Sequence, residues 1–132
     1  MDADILLAAS GTALSLCVFM LPRSGVVEIM PNNYRSVYYQ RLATNFDLYY
    51  LSHTNFSEPM KLPEGCIYSE GVEDIRELPV RCRESLELDE VYVHPITLWM
   101  MITDMSKTVN HNKYHIYKLL VCSRKENIHT AI

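Results

Sequence analysis

The chain opens on an apolar run, Ala3-Asp4-Ile5-Leu6-Leu7-Ala8, that shows none of the polar alternation of a half-exposed strand. Such a run suits a strand buried on both faces, the condition of a central strand in a parallel sheet. The turn Ser10-Gly11-Thr12 follows at once, and Ser10 or Thr12 can cap the apolar segment behind it. That segment, ALSLCVFML, predicts a helix from about Ala13 to Met20, ended by Leu21-Pro22-Arg23-Ser24-Gly25. A second strand, Val26 to Met30, then stops at Pro31-Asn32-Asn33. Val37, Tyr38, Arg41, Leu42 and Phe46 recur at helical spacing and predict a helix over 37–45, and DLYYL, residues 47–51, reads as a third strand. Strand, helix, strand, helix, strand at this spacing implies two right-handed βαβ crossovers. The expected class is α/β, part of a doubly wound parallel sheet.

This reading divides the chain into a βαβαβ core over 1–58, an irregular connection over 59–90, and a strand and helices over 91–132 that complete the same lobe. The connection is broken by Pro59, Pro63, Gly65, Gly71 and Pro79, with one short strand expected near Cys66-Ile67-Tyr68. Beyond it, Val91-Tyr92-Val93 is an apolar run and Pro95 starts a helix that continues from Ile96 to Met105. A last helix is expected over about 113–122, with Tyr114, Tyr117, Leu120 and Val121 along one side, and the final residues are expected to fray.

At 132 residues the chain fits one domain or one lobe of a larger protein. A strand starting almost at Met1, with no leader ahead of it, makes a fragment or truncated product the expectation. The net charge of −4 and twelve scattered basic residues argue against a nucleic-acid footprint, which needs clustered Lys and Arg. Arg81/Arg83 and Arg124/Lys125, the closest groupings, read as solvated surface. No run reaches the ~18 apolar residues of a membrane span, and no signal peptide is visible.

Cys17, Cys66, Cys82 and Cys122 form no C-x-x-C pair and have no His at zinc-ligand spacing. Cys17 and Cys122 read as buried thiols, and Cys66 and Cys82 can pair in an oxidising compartment. His111 and His115 are i,i+4 partners without an evident third ligand, so they read as exposed helix histidines, and His53 as a surface loop residue. No metal site is expected.

In an open parallel sheet, ligands bind beyond the carboxyl ends of the strands. The turn at Ser10-Gly11-Thr12 lies there, its small residues admit a ligand close to the backbone, and the helix N–H groups behind it favour an anion. A diphosphate fits such a turn, with the Ser10, Thr12 and Ser15 hydroxyls as further donors and Ala13 as part of the small-residue wall. Glu28, near the carboxyl end of the second strand, can accept hydrogen bonds from the two hydroxyls of a ribose. The other way to keep a carboxylate in an apolar strand is an ion pair with Arg23, Arg35 or Arg41. No Ser/His/Asp or Cys/His arrangement emerges, and the catalytic residues stay unknown.

Residues 4–30 resemble the core of glycosyltransferase family 61, the group of protein O-linked N-acetylglucosaminyl- and plant xylosyl-type transferases. Members typically carry a His-Gly-Ala-Gly-Leu-Thr turn, an apolar helix ending in Phe-Leu-Pro-Pro, and a Val-Val-Glu-Leu-type strand. Here the corresponding stretches are SGTALS, CVFMLPRSG and VVEIMP, ungapped from Ser10 to Ile29, and YYQRLATNFDLYYLS continues the likeness. It covers roughly 3–55, under half of the chain. Gly11, Leu14 and Glu28 match the pattern, whereas Ser10 replaces the His and Ala13 the second Gly.

The resemblance implies a Rossmann-like lobe, the second of a two-lobed GT-B-type enzyme. Such a lobe would bind a nucleotide-sugar donor, usually without a metal or other cofactor, for transfer to a glycan or protein acceptor. Ser10, Gly11, Thr12, Ala13, Ser15 and Glu28 would be its donor-binding residues. Transfer would be inverting, with the base supplied from outside these residues, and a full-length relative would work in the ER or Golgi lumen. The alternative is a non-catalytic α/β interaction domain derived from such an enzyme.

Overall fold

In the computed structural model, β1 (Ile5–Ala9) pairs in parallel with β2 (Gly25–Ile29) on one side and β4 (Leu119–Cys122) on the other. β2 pairs in parallel with β3 (Tyr49–His53), and β5 (Ile128–Ala131) closes the far edge antiparallel to β4. The order across this open sheet is β3-β2-β1-β4-β5. The structure describes residues 3–31, 34–54, 64–66, 74–87, 93–109, 119–122 and 128–131.

The strand register sorts side chains onto two faces, because successive residues point oppositely. Leu6, Ala8 and Val26 meet Leu14, Cys17 and Met20 of the connection behind β1, and Ala43 of helix α1 (Tyr38–Asn45). Ile5, Leu7, Val27 and Ile29 meet Met101 and Met105 of helix α3 (Pro95–Val109) on the other face. Helices on both faces are why the first two strands carry no polar alternation. On the first face, burial pushes the Cys17 thiol pKa up.

The β1–β2 connection is a 3-10 helix, η1 (Thr12–Phe19), rather than the α-helix that the apolar run suggests. Geometry accounts for this. Strands of five residues at about 3.3 Å each make the sheet roughly 16 Å deep. Eight residues of α-helix reach about 12 Å, whereas eight of 3-10 helix reach about 16 Å. The tighter winding lets a short segment return to the start of β2.

The third strand begins two residues later than DLYYL suggests, because α1 takes Asp47 for its own ending. Asp47 adopts φ 55, Leu48 N–H donates to Ala43 O (3.0 Å) and Asp47 N–H to Thr44 O (3.2 Å). That is a Schellman ending with Asp in the left-handed position that Gly more often fills. Leu48 is buried against the same cluster as Ala43.

The C-terminal third departs furthest from expectation. Residues 119–122 are strand β4, not the end of a helix over 113–122, and 128–131 are strand β5, not a frayed tail. Leu-Leu-Val-Cys is a short apolar run, which periodicity cannot assign to helix or strand; pairing with β1 decides it. The connection is also less irregular than expected. It holds the 3-10 turn η2 (Ile75–Glu77) and helix α2 (Val80–Glu87), which starts on Pro79. Cys66 and Cys82 form a disulfide. The predicted strand at Cys66–Tyr68, the Val91-Tyr92 run, and His111 and His115 lie wholly or mainly outside the described residues. No described helix is long and apolar enough to cross a membrane.

Candidate functional site

Strand order reverses at β1: β2 and β3 extend to one side, and the chain returns through α3 to β4 on the other. Loops on the two sides of such a reversal diverge, and a crevice opens beyond the carboxyl ends of the strands. A cavity of about 520 Å³ lies beside that reversal, beyond the carboxyl ends of β1 and β2, walled by Ser10, Gly11 and Thr12 after β1 and by Pro31, Tyr34 and Ser36 after β2. Tyr38 and Tyr39 of α1, Arg76 of η2 and Arg83 of α2 complete it.

Gly11 makes the first wall possible. Its φ of 151° and ψ of −175° lie in a region open essentially to glycine alone, and a Cβ there would meet nothing within 4 Å. The requirement is therefore one of backbone shape, not of space. The first bond of η1 runs from Leu14 N–H to Gly11 O (3.0 Å), so the Thr12 and Ala13 N–H groups precede it with no intrahelical acceptor. These free donors give the turn a positive local field.

Two arginines line the same cavity, in different states. Arg76 is engaged: its Nε and Nη2 bind the Asp74 carboxylate at 2.7–3.1 Å, and its guanidinium carbon lies 5.7 Å from the centre of the Tyr38 ring. Asp74 also accepts the backbone N–H of Arg76 (2.9 Å) and of Val37 (3.3 Å). Arg76 beside it, aided by those N–H groups, holds the Asp74 carboxyl down at about 2. Arg83 is half-buried and makes no ion pair among the described residues. With Arg76 neutralised, Arg83 is the cavity's uncompensated charge among the described residues, which suits an anion. Tyr34, Tyr38 and Tyr39 form an aromatic side that suits a ring.

Of the residues expected from sequence, Ser10, Gly11 and Thr12 line the cavity. Ala13 instead packs on the core, and Ser15 is exposed outside the cavity, its hydroxyl bonded to that of Tyr39. Glu28 requires a correction. It is 0% exposed, does not line the cavity, and pairs with none of Arg23, Arg35 and Arg41. Its register partner Ala8 lies beside it in β1, and the carboxyl points into the η1/α1 face of the sheet. There Tyr50 Oη donates to Oε2 (2.5 Å) and the Ser10 hydroxyl approaches the same carboxyl, while Oε1 has no hydrogen-bonding partner. Burial outweighs both hydroxyls and raises the Glu28 pKa; burial and the Glu28 charge raise that of Tyr50. A neutral carboxyl behind the turn is what burial favours.

Arg76 and Arg83 are the residues that sequence reading missed. The basic pair Arg81/Arg83 resembled solvated surface, and the signal that could have separated them was its neighbour Cys82, fixed to Cys66. No family model matches the chain, and comparison with curated proteins and with solved structures finds no match.

Proposed function

We propose that this chain is the donor-binding lobe of a sugar-nucleotide-dependent glycosyltransferase, Rossmann-like and of the GT-B type. The observation that carries the reading is the Gly11 turn, opening beside the reversal of strand order onto a cavity whose lining includes Arg83. In this reading a diphosphate rests on the Thr12 and Ala13 N–H groups, with the Thr12 hydroxyl and Arg83 as further donors. The nucleoside lies against Tyr34 and Tyr38. Glu28 does not hold the ribose; it buttresses Ser10 from behind. The likeness of SGTALS, CVFMLPRSG and VVEIMP to family 61 supplies the reaction class, and the general base comes from outside these residues.

Calorimetric titration of UDP-N-acetylglucosamine and UDP-xylose tests this. Binding is expected, weakened about tenfold or more by Arg83→Gln, since one charge-assisted contact carries that much. Absence of heat at millimolar ligand refutes the reading.

A non-catalytic association domain is the second reading. It is favoured by the outward side of α3, where Ile96, Trp99 and Met100 are 65%, 68% and 59% exposed. A protein that stays monomeric in sedimentation and binds UDP-sugars excludes it.

A further inference from the structure

The cavity's two cations are held by different means. Arg76 is fixed locally, by a fork onto Asp74 two residues away. Among the described residues Arg83 has no such carboxylate, and its place depends on where α2 lies. Cys82, the residue immediately before it, is fully buried and bonded to Cys66 across sixteen residues. The short segment carrying Cys66 is itself fitted to α2: Gly65 adopts φ +81, and a Cβ there would lie 3.2 Å from Arg81 Nη2. Among the described elements α2 packs on η2, whose own tie to the core is the Asp74 bond to Val37 and the Arg76–Tyr38 stack. The disulfide is thus a covalent tie between the 64–66 segment and the helix turn that carries Arg83.

We propose that the Cys66–Cys82 disulfide is the positioning device of Arg83, so that the crevice grips a phosphate-bearing ligand in the oxidised protein and loses that grip on reduction. This rests on the nucleotide-binding reading above. A dithiol is the reductant: it gives up two electrons and two protons and becomes a disulfide, while the Cys66–Cys82 bond opens to two thiols. Reduction leaves the Gly11 turn and the Arg76–Asp74 pair as they were. It releases α2 from the 64–66 segment, so Arg83 must lose conformational freedom on each binding event instead of being held in place beforehand. An oxidising compartment would then hold the site competent and a reducing one would hold it weak.

The test uses the full chain and UDP as the probe, titrated into oxidised protein and into protein treated with dithiothreitol, with thiols counted in each. Reduction is expected to weaken UDP binding about threefold to tenfold, the scale of ordering one long side chain on binding. Arg83→Gln in the oxidised protein should weaken it by at least that factor, and its remaining affinity should not respond to dithiothreitol. Hydrogen exchange should quicken at 80–87 on reduction and stay unchanged in β1, β2 and β3. Equal affinity of oxidised and reduced wild type overturns the proposal. So does an Arg83→Gln variant that still loses affinity on reduction, or a loss of protection across β1–β3, which would make the bond a support of the whole fold. If oxidised wild type binds no UDP, the nucleotide reading fails first and this proposal falls with it.

Discussion

Replacing Asp74 by Asn keeps the shape of the side chain, removes its charge and turns one acceptor oxygen into an NH2 donor. Asp74 joins η2 to the start of α1 by accepting from Val37 N–H, and it receives the Arg76 fork. Its carboxyl sits at about 2 against an ordinary 3.8. With one pKa unit worth about 1.4 kcal/mol, the charge contributes at most about 2.4 kcal/mol at neutral pH. Asp74 is only 11% exposed but the Arg76 side chain is 42% exposed, so solvent screening reduces this to about 1–2 kcal/mol. The sign follows from linkage. A lowered folded-state pKa gives stability that is present above the unfolded value and lost as pH falls from about 4 to about 2. Urea unfolding of wild type and Asp74→Asn across that range measures it. The variant should be less stable by about 1–2 kcal/mol at neutral pH, and the two curves should converge in acid. A gap that persists unchanged at the acid end would mean that the lost contribution was packing or neutral hydrogen bonding. No gap at neutral pH would mean that the fork is solvent-screened to nothing.

Two further outcomes follow from buried positions. A Cβ at Gly25 would fall 2.5 Å from Met105 Cγ and 3.1 Å from Val109 Cγ2, so Gly25→Ala should cost about 1–3 kcal/mol by overpacking. In a Met105→Ala background most of that penalty should vanish; a full penalty there would show that the β2–α3 approach is not its cause. Glu28 has a folded-state pKa raised by burial above the ordinary 4.5. The stability linked to its proton is fully present below that value and is lost as pH rises through the folded one. Glu28→Gln should therefore gain on wild type as pH rises above about 4.5, and thermal melts showing a constant difference from acid to neutral pH would mean that the carboxyl titrates alike in the folded and unfolded chains.

The β1–η1–β2–α1–β3 alternation was legible because each element announces itself within a few residues. Both-face burial leaves unbroken apolar runs, and Pro22, Gly25 and Pro31 mark their ends. Pro95 likewise placed the start of α3. Of the site, the Ser10-Gly11-Thr12 wall was legible for the same reason: a turn between a buried strand and a helix has only one place to be in an open sheet. The rest depended on partners distant in sequence. Leu119–Cys122 becomes a strand because β1 offers it an unpaired edge, and α1 takes Asp47 because Leu48 finds the Ala43 cluster.

Glu28 shows the difference most sharply. Its type and its place on the second strand are written in the chain, and from these a carboxylate at the crevice was the natural expectation. Its direction was decided by side-chain parity, which turns it onto the η1/α1 face beside Tyr50, twenty-two residues away. Arg83 is the converse case, an arginine unremarkable by composition that lines the cavity from helix α2. Local sequence thus determined which segments become strands, turns and helices, since burial periodicity and backbone permission act over a few residues. Which charges line the cavity was decided only by tertiary structure, because desolvation and Coulombic pairing depend on neighbours that the chain supplies from far away.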